Sequence, residues 1–465
     1  MMYAHWLQGS HNEKVVFDAY FRKLPFGNGY AVFAGLERIV DYIRNLEFTE
    51  DDIAYLREQE EGYREDFLEE LRKFKFTGNI DMVPEGTLVF PNEPLIRVEA
   101  RIFEAQLIET AMLNFMNFQT LIATKASRVK QVAPNDILLE FGSRRAQEAD
   151  AAIWGTRAAY IAGFHATSNM LAGKMFGIPT AGTHAHAWIQ VHDSEEEAFL
   201  KYAEALPNNI SLLVDTYDTL RSGVPNAIKV AKELEKRGKR VASIRIDSGD
   251  LAYQSKRARA MLDAAGLHYV KIVASNDLDE NIIAELKAQD AKIDAWGIGT
   301  QLITAHDQPS LGGVYKLVAR RKNGDYEPVI KISGNPEKVT NPGFKDVYRI
   351  IDKETGKATG DYITLQEETD IPNKQPVLLS DHVHSYRDRI LTDYEAIPLL
   401  QPVFRNGELV YNLPTLEEIR QYHRQQLDLF MPEILRKLNP EVYEVYLSTV
   451  AWNLKMNLIR KHQRK

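Results

Sequence analysis

The sequence predicts an α/β protein built on a parallel sheet, and two observations carry that expectation. From Asp136 to Gly299, the short apolar runs DILLEF, SLLVD, VASIRID, VKIVAS and DAWGIG alternate with amphipathic stretches, the pattern of successive βα units. Each run also ends in a polar cluster: GSRR, DTYD, SGD, ND and GTQ. Barrels and open α/β sheets assemble active sites from such loops, at the C-terminal ends of their strands.

The elements follow in chain order. Leu36, Ile39, Val40, Ile43 and Leu46 recur at helical spacing, and Thr49 with Asp52 forms a capping box opening the helix TEDDIAYLREQ. TLVF and LIRVEA, separated by the turn PNEP, read as a pair of strands, and a long helical stretch runs from Ile102 to Val132. In the central region the helices NAIKVAKELEKRG, LAYQSKRARAMLDAAG and DENIIAELKAQ connect the apolar runs, two of them ending at a glycine suited to a helix C-cap. Beyond Gly324 the runs EPVIKIS, DVYRII, DYITL and QPVLL read as shorter strands, followed by helical segments from Leu416 onward. The boundaries this gives are 1–134, 135–323 and 324–465, with the last segment completing the barrel-like part and packing on the first.

Composition narrows the function. With 57 Lys and Arg against 65 Asp and Glu, the net charge of −8 argues against a general nucleic-acid surface. The absence of cysteine removes disulfides, thiolate chemistry and Cys-ligated metals. No stretch approaches the roughly 20 apolar residues of a membrane span, and the N-terminus lacks a signal-peptide pattern, so a cytoplasmic protein is expected. The basic stretch LIRKHQRK reads as a solvated helix end.

Four motifs carry chemistry. In GTHAHAWIQ, an extended backbone would put His184 and His186 on one face as a metal pair, although catalytic zinc needs a third ligand. Asp247, Asp250, His306 and His382 are the available donors, and structural histidines remain the alternative. IRIDSGD alternates Arg245 with Asp247 before a glycine turn entering a helix, and GIGTQL offers exposed N–H groups and a hydroxyl to a phosphate. Arg144 and Arg145 form a compact basic pair suited to carboxylate or phosphate, with Phe141 beside them. Together these point to a phosphorylated substrate.

These motifs resemble those of the nicotinate phosphoribosyltransferase family. The similarity runs in order through FRKLPFGNGYAVFAGLE, EFGSRRAQ, GFHATSN, PTAGTHAHAW, IRIDSGDL, VASNDLDE, GIGTQL and QPSLGGVYKLV. The resemblance implies an irregular α/β barrel with a second α+β domain built from the N-terminal and C-terminal segments. It implies transfer of phosphoribosyl from phosphoribosyl pyrophosphate to nicotinate, giving nicotinate mononucleotide in NAD salvage, with Mg²⁺, ATP as co-substrate and a homodimer. His186 matches the histidine that ATP phosphorylates, and His184 falls at a variable position. Phe141 and Arg245 match the pair bracketing the pyridine ring, with Arg144 nearby for pyrophosphate or carboxylate. Asp247 matches the acid that helps hold the sugar diphosphate and its Mg²⁺. Asn276 and Asp277 match the ribose loop, and Gly297, Gly299 and Thr300 the 5′-phosphate loop. Ser168 stands where nicotinamide-using relatives carry an aspartate, whose charge would repel the nicotinate carboxylate. Family members usually carry a T-D-L-Y-type segment ahead of the residues matching MMYAHW, with a tyrosine that reaches the partner subunit's nicotinate site; either the sequence as given omits that segment or the aromatic contact is missing, and Tyr3 is a poor substitute. A metal-dependent amidohydrolase with His184 and His186 as ligands is the competing reading.

Overall fold

The structure is a computed structural model and describes residues 1–368 and 376–463. Gln375 of the QPVLL run and the last two residues of the basic stretch lie outside the described residues.

The chain divides into two units, Met1–Leu121 with Ser310–Lys465, and Ile122–Pro309. The second α+β domain is therefore built from both ends of the chain, as the family resemblance implies. The divisions fall at 121/122, inside the helix Glu109–Val132, and at 309/310, where the sequence suggests 134/135 and 323/324.

The central unit contains six parallel strands in the order 166–167, 137–140, 295–298, 271–275, 241–246 and 210–213. The order differs from that of the sequence, and no ladder joins the first strand to the last among the described residues, so the barrel is irregular. Val241–Ile246, Lys271–Ser275 and Ala295–Ile298 are largely buried apolar runs, as a sheet covered on both faces requires. Helices Val224–Lys236, Leu251–Ala264 and Glu280–Ala288 form the crossovers, and Gly238 and Gly266 take the left-handed conformation just past the first two, with φ of 71° and 73°.

The discontinuous unit holds a seven-stranded antiparallel sheet in the order 325–328, 314–322, 14–20, 96–101, 79–82, 401–405 and 408–409. A four-stranded sheet, 394–398, 345–352, 357–365 and 445–447, stands apart from it. Among the described residues, the strands after residue 324 pair within these sheets or in the 377–379 and 389–391 hairpin and none joins the parallel sheet, so the expected completion of the barrel by this segment is not seen there.

Local expectations hold where local chemistry decides. Thr49 and Asp52 cap each other reciprocally, Thr49 N–H donating to Asp52 Oδ2 at 2.7 Å and Asp52 N–H to Thr49 Oγ1 at 3.2 Å. The strands of TLVF and LIRVEA do not pair with each other. Leu88–Val89 pairs with Ala31–Val32, while Ile96–Arg101 lies between Lys14–Tyr20 and Asn79–Met82. The 102–132 stretch is two helices, Ile102–Leu107 and Glu109–Val132. The C-terminal helical region is interrupted by the strand Val445–Leu447. Tyr3 is a core aromatic, its ring 4.9 Å from Phe67 and 5.0 Å from Tyr63. No helix among the described residues is long and apolar enough to cross a membrane.

Candidate active site

Six strands end on the same side of the parallel sheet, and the loops leaving them carry the polar residues. Arg245 is the hub. It sits one residue before the end of strand Val241–Ile246, and its guanidinium donates in three directions: Nε to Ser275 Oγ at 2.7 Å, Nη1 to Thr183 Oγ1 at 2.8 Å and Nη2 to Asp247 Oδ1 at 2.8 Å. Three strand-end loops are thereby fixed to one planar group, a use of arginine that lysine cannot copy.

Phe141 faces the same guanidinium, whose Cζ is 5.9 Å from the ring centroid. Two van der Waals spacings of about 3.5–4 Å each are needed to seat a flat ring between them, so the pair must part by about 1–2 Å when it does so. Glycine sets the ring's place from behind. A Cβ on Gly297 would fall 2.6 Å from Phe141 Cδ2, and one on Gly299 would fall 3.2 Å from the Phe141 carbonyl oxygen. Thr300 follows at the start of the short helix Thr300–Ile303.

His186 opens the helix His186–Gln190 and places Nε2 3.1 Å from Asp215 Oδ1. Asp215, at the end of strand Ile210–Leu213, is almost fully enclosed. Its Oδ2 accepts the Asp247 backbone N–H at 2.9 Å and the Ser248 hydroxyl at 2.6 Å. With its two oxygens used as acceptors, Asp215 fixes the His186 tautomer: Nε2 carries the proton and Nδ1 keeps a lone pair. His186 itself stays partly exposed.

His184 does not form a metal pair with His186. Its Nε2 accepts the Leu213 backbone N–H at 3.1 Å, and its ring packs on Tyr202 at 4.7 Å. Burial pulls its pKa down to about 4, with the neighbouring charges of Arg245 and His186 acting in the same direction. A neutral, buried imidazole whose ring nitrogen is already satisfied by backbone is structural. The expected geometry fails because the segment turns into a helix at His186 instead of staying extended. Two of the other donors have partners of their own: Asp250 caps helix Leu251–Ala264 through the Tyr253 N–H at 2.9 Å, and His382 belongs to the discontinuous unit, where Nε2 lies 3.0 Å from the Leu447 carbonyl. Among the described residues no group of three or more His, Asp or Glu is arranged to hold a metal. This disfavours the amidohydrolase reading.

The remaining positions surround this core. Arg144 and Ser168 are exposed at the ends of strands 137–140 and 166–167. Asn276 and Asp277 leave strand Lys271–Ser275 with φ of 105° and 24°, a left-handed turn that non-glycine residues adopt at a cost. Asp215, Ser275 and Thr183 are the polar partners that sequence reasoning missed. Asp215 stood within the DTYD cluster at a strand end, the one available signal, and nothing in the sequence marks the two hydroxyls.

Family models describing the nicotinate phosphoribosyltransferase N-terminal domain, the family itself and the C-terminal domain match residues 1–117, 137–370 and 344–455. A nicotinate phosphoribosyltransferase of Bacillus subtilis (strain 168) is 52% identical over 463 residues, covering 99% of this chain and 93% of that protein. Nicotinate phosphoribosyltransferase 2 of Arabidopsis thaliana is 38% identical over 97% of this chain and 91% of its own length. The crystal structure of human nicotinic acid phosphoribosyltransferase superposes with a TM-score of 0.88 at 30% identity, covering 98% of each chain. The chain belongs to the nicotinate phosphoribosyltransferase family of enzymes.

Proposed function

We propose that the protein transfers the phosphoribosyl group of phosphoribosyl pyrophosphate to nicotinate in NAD salvage, and that ATP hydrolysis drives the transfer through a phosphohistidine at His186. The observation supporting this most is the unbroken run of contacts from Phe141 through Arg245 and Asp247 to Asp215 and His186. Those contacts bring Phe141, Arg245, Asp247 and His186 into one connected group, which supports assigning the ring and the phosphoryl step to a single site.

In the transfer, the pyridine nitrogen attacks the anomeric carbon and the bond from that carbon to the diphosphate oxygen breaks. The nitrogen uses its own lone pair, so no general base is required. Phe141 and Arg245 hold the ring, Ser168 leaves its carboxylate unopposed, and Arg144 lies within the loop that meets the anionic groups. Asn276 and Asp277 are assigned to the ribose, and Gly297, Gly299 and Thr300 to the 5′-phosphate. The residues fit Mg²⁺, which takes one or two carboxylates and completes its shell from substrate phosphates. Asp247 would hold it through Oδ2, because Oδ1 is occupied by Arg245 and Ser275. When bound, the ion neutralises charge building on the leaving diphosphate.

In the ATP step, His186 Nδ1 attacks the γ-phosphorus, the bond to the bridging oxygen breaks, and ADP departs. The Nε2 proton stays in its hydrogen bond to Asp215, which balances the cationic phosphoimidazole. Hydrolysis returns imidazole and inorganic phosphate. A phosphate on His186 adds charge and acceptors beside the Asp247 loop and so changes affinity for the sugar diphosphate. The reading includes a homodimer. The deciding assay measures mononucleotide formation from nicotinate and from nicotinamide, each with and without ATP. Nicotinate with ATP is expected to be fastest; equal use of nicotinamide, or full ATP stimulation in His186→Ala, overturns the reading.

A further inference from the structure

Resting on the transferase reading, we propose that Glu140 is a positioning residue that sets the ring pocket by tying the turn of Phe141 and Arg144 to the strand end of Ser168. Glu140 is the last residue of strand Ile137–Glu140 and is 1% exposed. Its carboxylate gathers donors from three elements. Oε1 accepts the Gly142 backbone N–H, while Oε2 accepts Thr167 Oγ1 at 2.6 Å and Thr156 Oγ1 at 2.9 Å. Thr156 stands on helix Glu148–Ile161 and Thr167 on the strand leading directly to Ser168. The backbone joins in, since the Glu140 carbonyl accepts the Ser168 N–H at 3.1 Å.

Glu140 reaches both walls of the ring pocket. On one side it holds Gly142, next to Phe141, and the space for a side chain there is closed: a Cβ on Gly142 would lie 2.6 Å from Ile303 Cβ. On the other side Thr167 is hydrogen bonded through its backbone to the loop that carries Thr183. Its N–H donates to the Pro179 carbonyl at 3.0 Å, and its carbonyl accepts the Ala181 N–H at 2.9 Å. Thr183 then meets Arg245 at 2.8 Å. A shift at Glu140 therefore moves Phe141 and Arg245 relative to each other.

The chemistry of the residue supports this role over simple packing. Its hydrogen-bond partners are two hydroxyls and a backbone amide, none of them cationic, so the buried carboxyl is not balanced by an ion pair, and such burial is costly. The Thr156 hydroxyl divides its one proton between Glu140 Oε2 and the Ala152 carbonyl, 2.8 Å away, so the Thr167 hydroxyl and the Gly142 amide, one on each carboxylate oxygen, are the committed donors. A glutamine must turn its amide N–H₂ toward at least one of them. Burial pushes the Glu140 carboxyl upward while the Thr167, Gly142 and Thr156 donors pull it back.

The test compares wild type with Glu140→Gln and, as a milder change on the far side of the clamp, Thr156→Val. For each, the KM for nicotinate, the KM for phosphoribosyl pyrophosphate, kcat and the melting temperature are measured. Amide hydrogen exchange is followed in peptides containing Gly142 and Ser168. Glu140→Gln is expected to raise the nicotinate KM about 10-fold, the scale of a lost hydrogen bond to a charged group, with the other KM and kcat within about two-fold. Exchange should quicken at both Gly142 and Ser168, and Thr156→Val should follow in the same direction by less. Unchanged exchange at those amides overturns the clamp whatever substrate the enzyme uses. Parallel losses in every kinetic constant that track the melting temperature overturn the positioning role. A wild-type enzyme inactive on nicotinate, with the exchange effect present, would count against the transferase reading alone.

Discussion

His186 Nε2 and Asp215 Oδ1 lie 3.1 Å apart, and Asp215 is held in turn by the Asp247 N–H and the Ser248 hydroxyl. The carboxylate thus links the histidine loop to the Asp247–Ser248 turn. Asp215→Asn keeps the shape but presents an amide whose N–H₂ has to displace one of three donors, so the His186 tautomer is no longer fixed. On the proposed ATP step, hydrolysis of ATP and phosphohistidine formation should fall by about 10²-fold or more, within the range of positioned proton-handling groups. Rapid-quench detection of acid-labile phosphoprotein checks this, and wild-type phosphorylation in the variant would refute it.

Gly297→Ala tests the ring pocket without touching any charge. The new Cβ, 2.6 Å from Phe141 Cδ2, has to displace the ring from its place beside Arg245, whose Cζ is 5.9 Å from the ring centroid. The nicotinate KM should rise about 10-fold or more, while stability drops by about 1–3 kcal/mol from overpacking. Steady-state kinetics with urea unfolding measures both. Pairing the substitution with Phe141→Leu, which frees room, should recover stability but not KM.

How much of this was legible follows the range of the interactions. The Thr49 and Asp52 cap spans three residues, and periodicity fixes helix Leu251–Ala264 within its own sequence, so both could be read directly. Strand pairing could not. Leu88–Val89 finds Ala31–Val32 across more than fifty residues, and Lys14–Tyr20, buried on both faces, gives no alternation to mark it. At the site, motif residues such as Arg245, Asp247 and Phe141 were identifiable because they stand at strand ends. Ser275 and Thr183 act only by meeting Arg245 from 30 and 62 residues away, a relation that residue type does not encode. His184 and His186, two residues apart, diverge because a helix begins between them.

His184 makes a pH prediction opposite to that of a metal ligand. Its folded pKa, about 4, lies below the ordinary 6.5, so the neutral form that accepts the Leu213 N–H favours folding. That stability is present above about pH 6.5 and is lost as pH falls toward 4, with a slope of up to about 1.4 kcal/mol per pH unit. His184→Gln should flatten this limb of the stability curve and leave bound zinc, measured by atomic emission, unchanged. A steep limb retained in the variant would assign the effect to another group.

The last prediction concerns the buried acids of the discontinuous unit. Asp361 receives Arg349 through two bonds, Nε to Oδ1 at 3.0 Å and Nη2 to Oδ2 at 2.7 Å, and the Tyr443 hydroxyl at 2.9 Å. Glu93, fully enclosed beside it, is pushed well above the usual carboxyl range by burial and by the Asp361 charge. The Arg349 guanidinium donates to Asp361, and the Asp361 charge together with burial opposes ionisation of Glu93. Because the folded pKa of Glu93 is raised, its contribution is complete below the ordinary carboxyl pKa of about 4.3 and is lost as pH climbs through the raised value. Glu93→Gln cannot ionise, so its stability relative to wild type should improve as pH rises from the ordinary carboxyl pKa of about 4.3 toward the raised value. Arg349→Met leaves Asp361 buried without its cation and should cost about 3–5 kcal/mol at neutral pH. Denaturant unfolding across that range measures both, and a pH-independent difference between Glu93→Gln and wild type would show that Glu93 is already ionised in the folded chain.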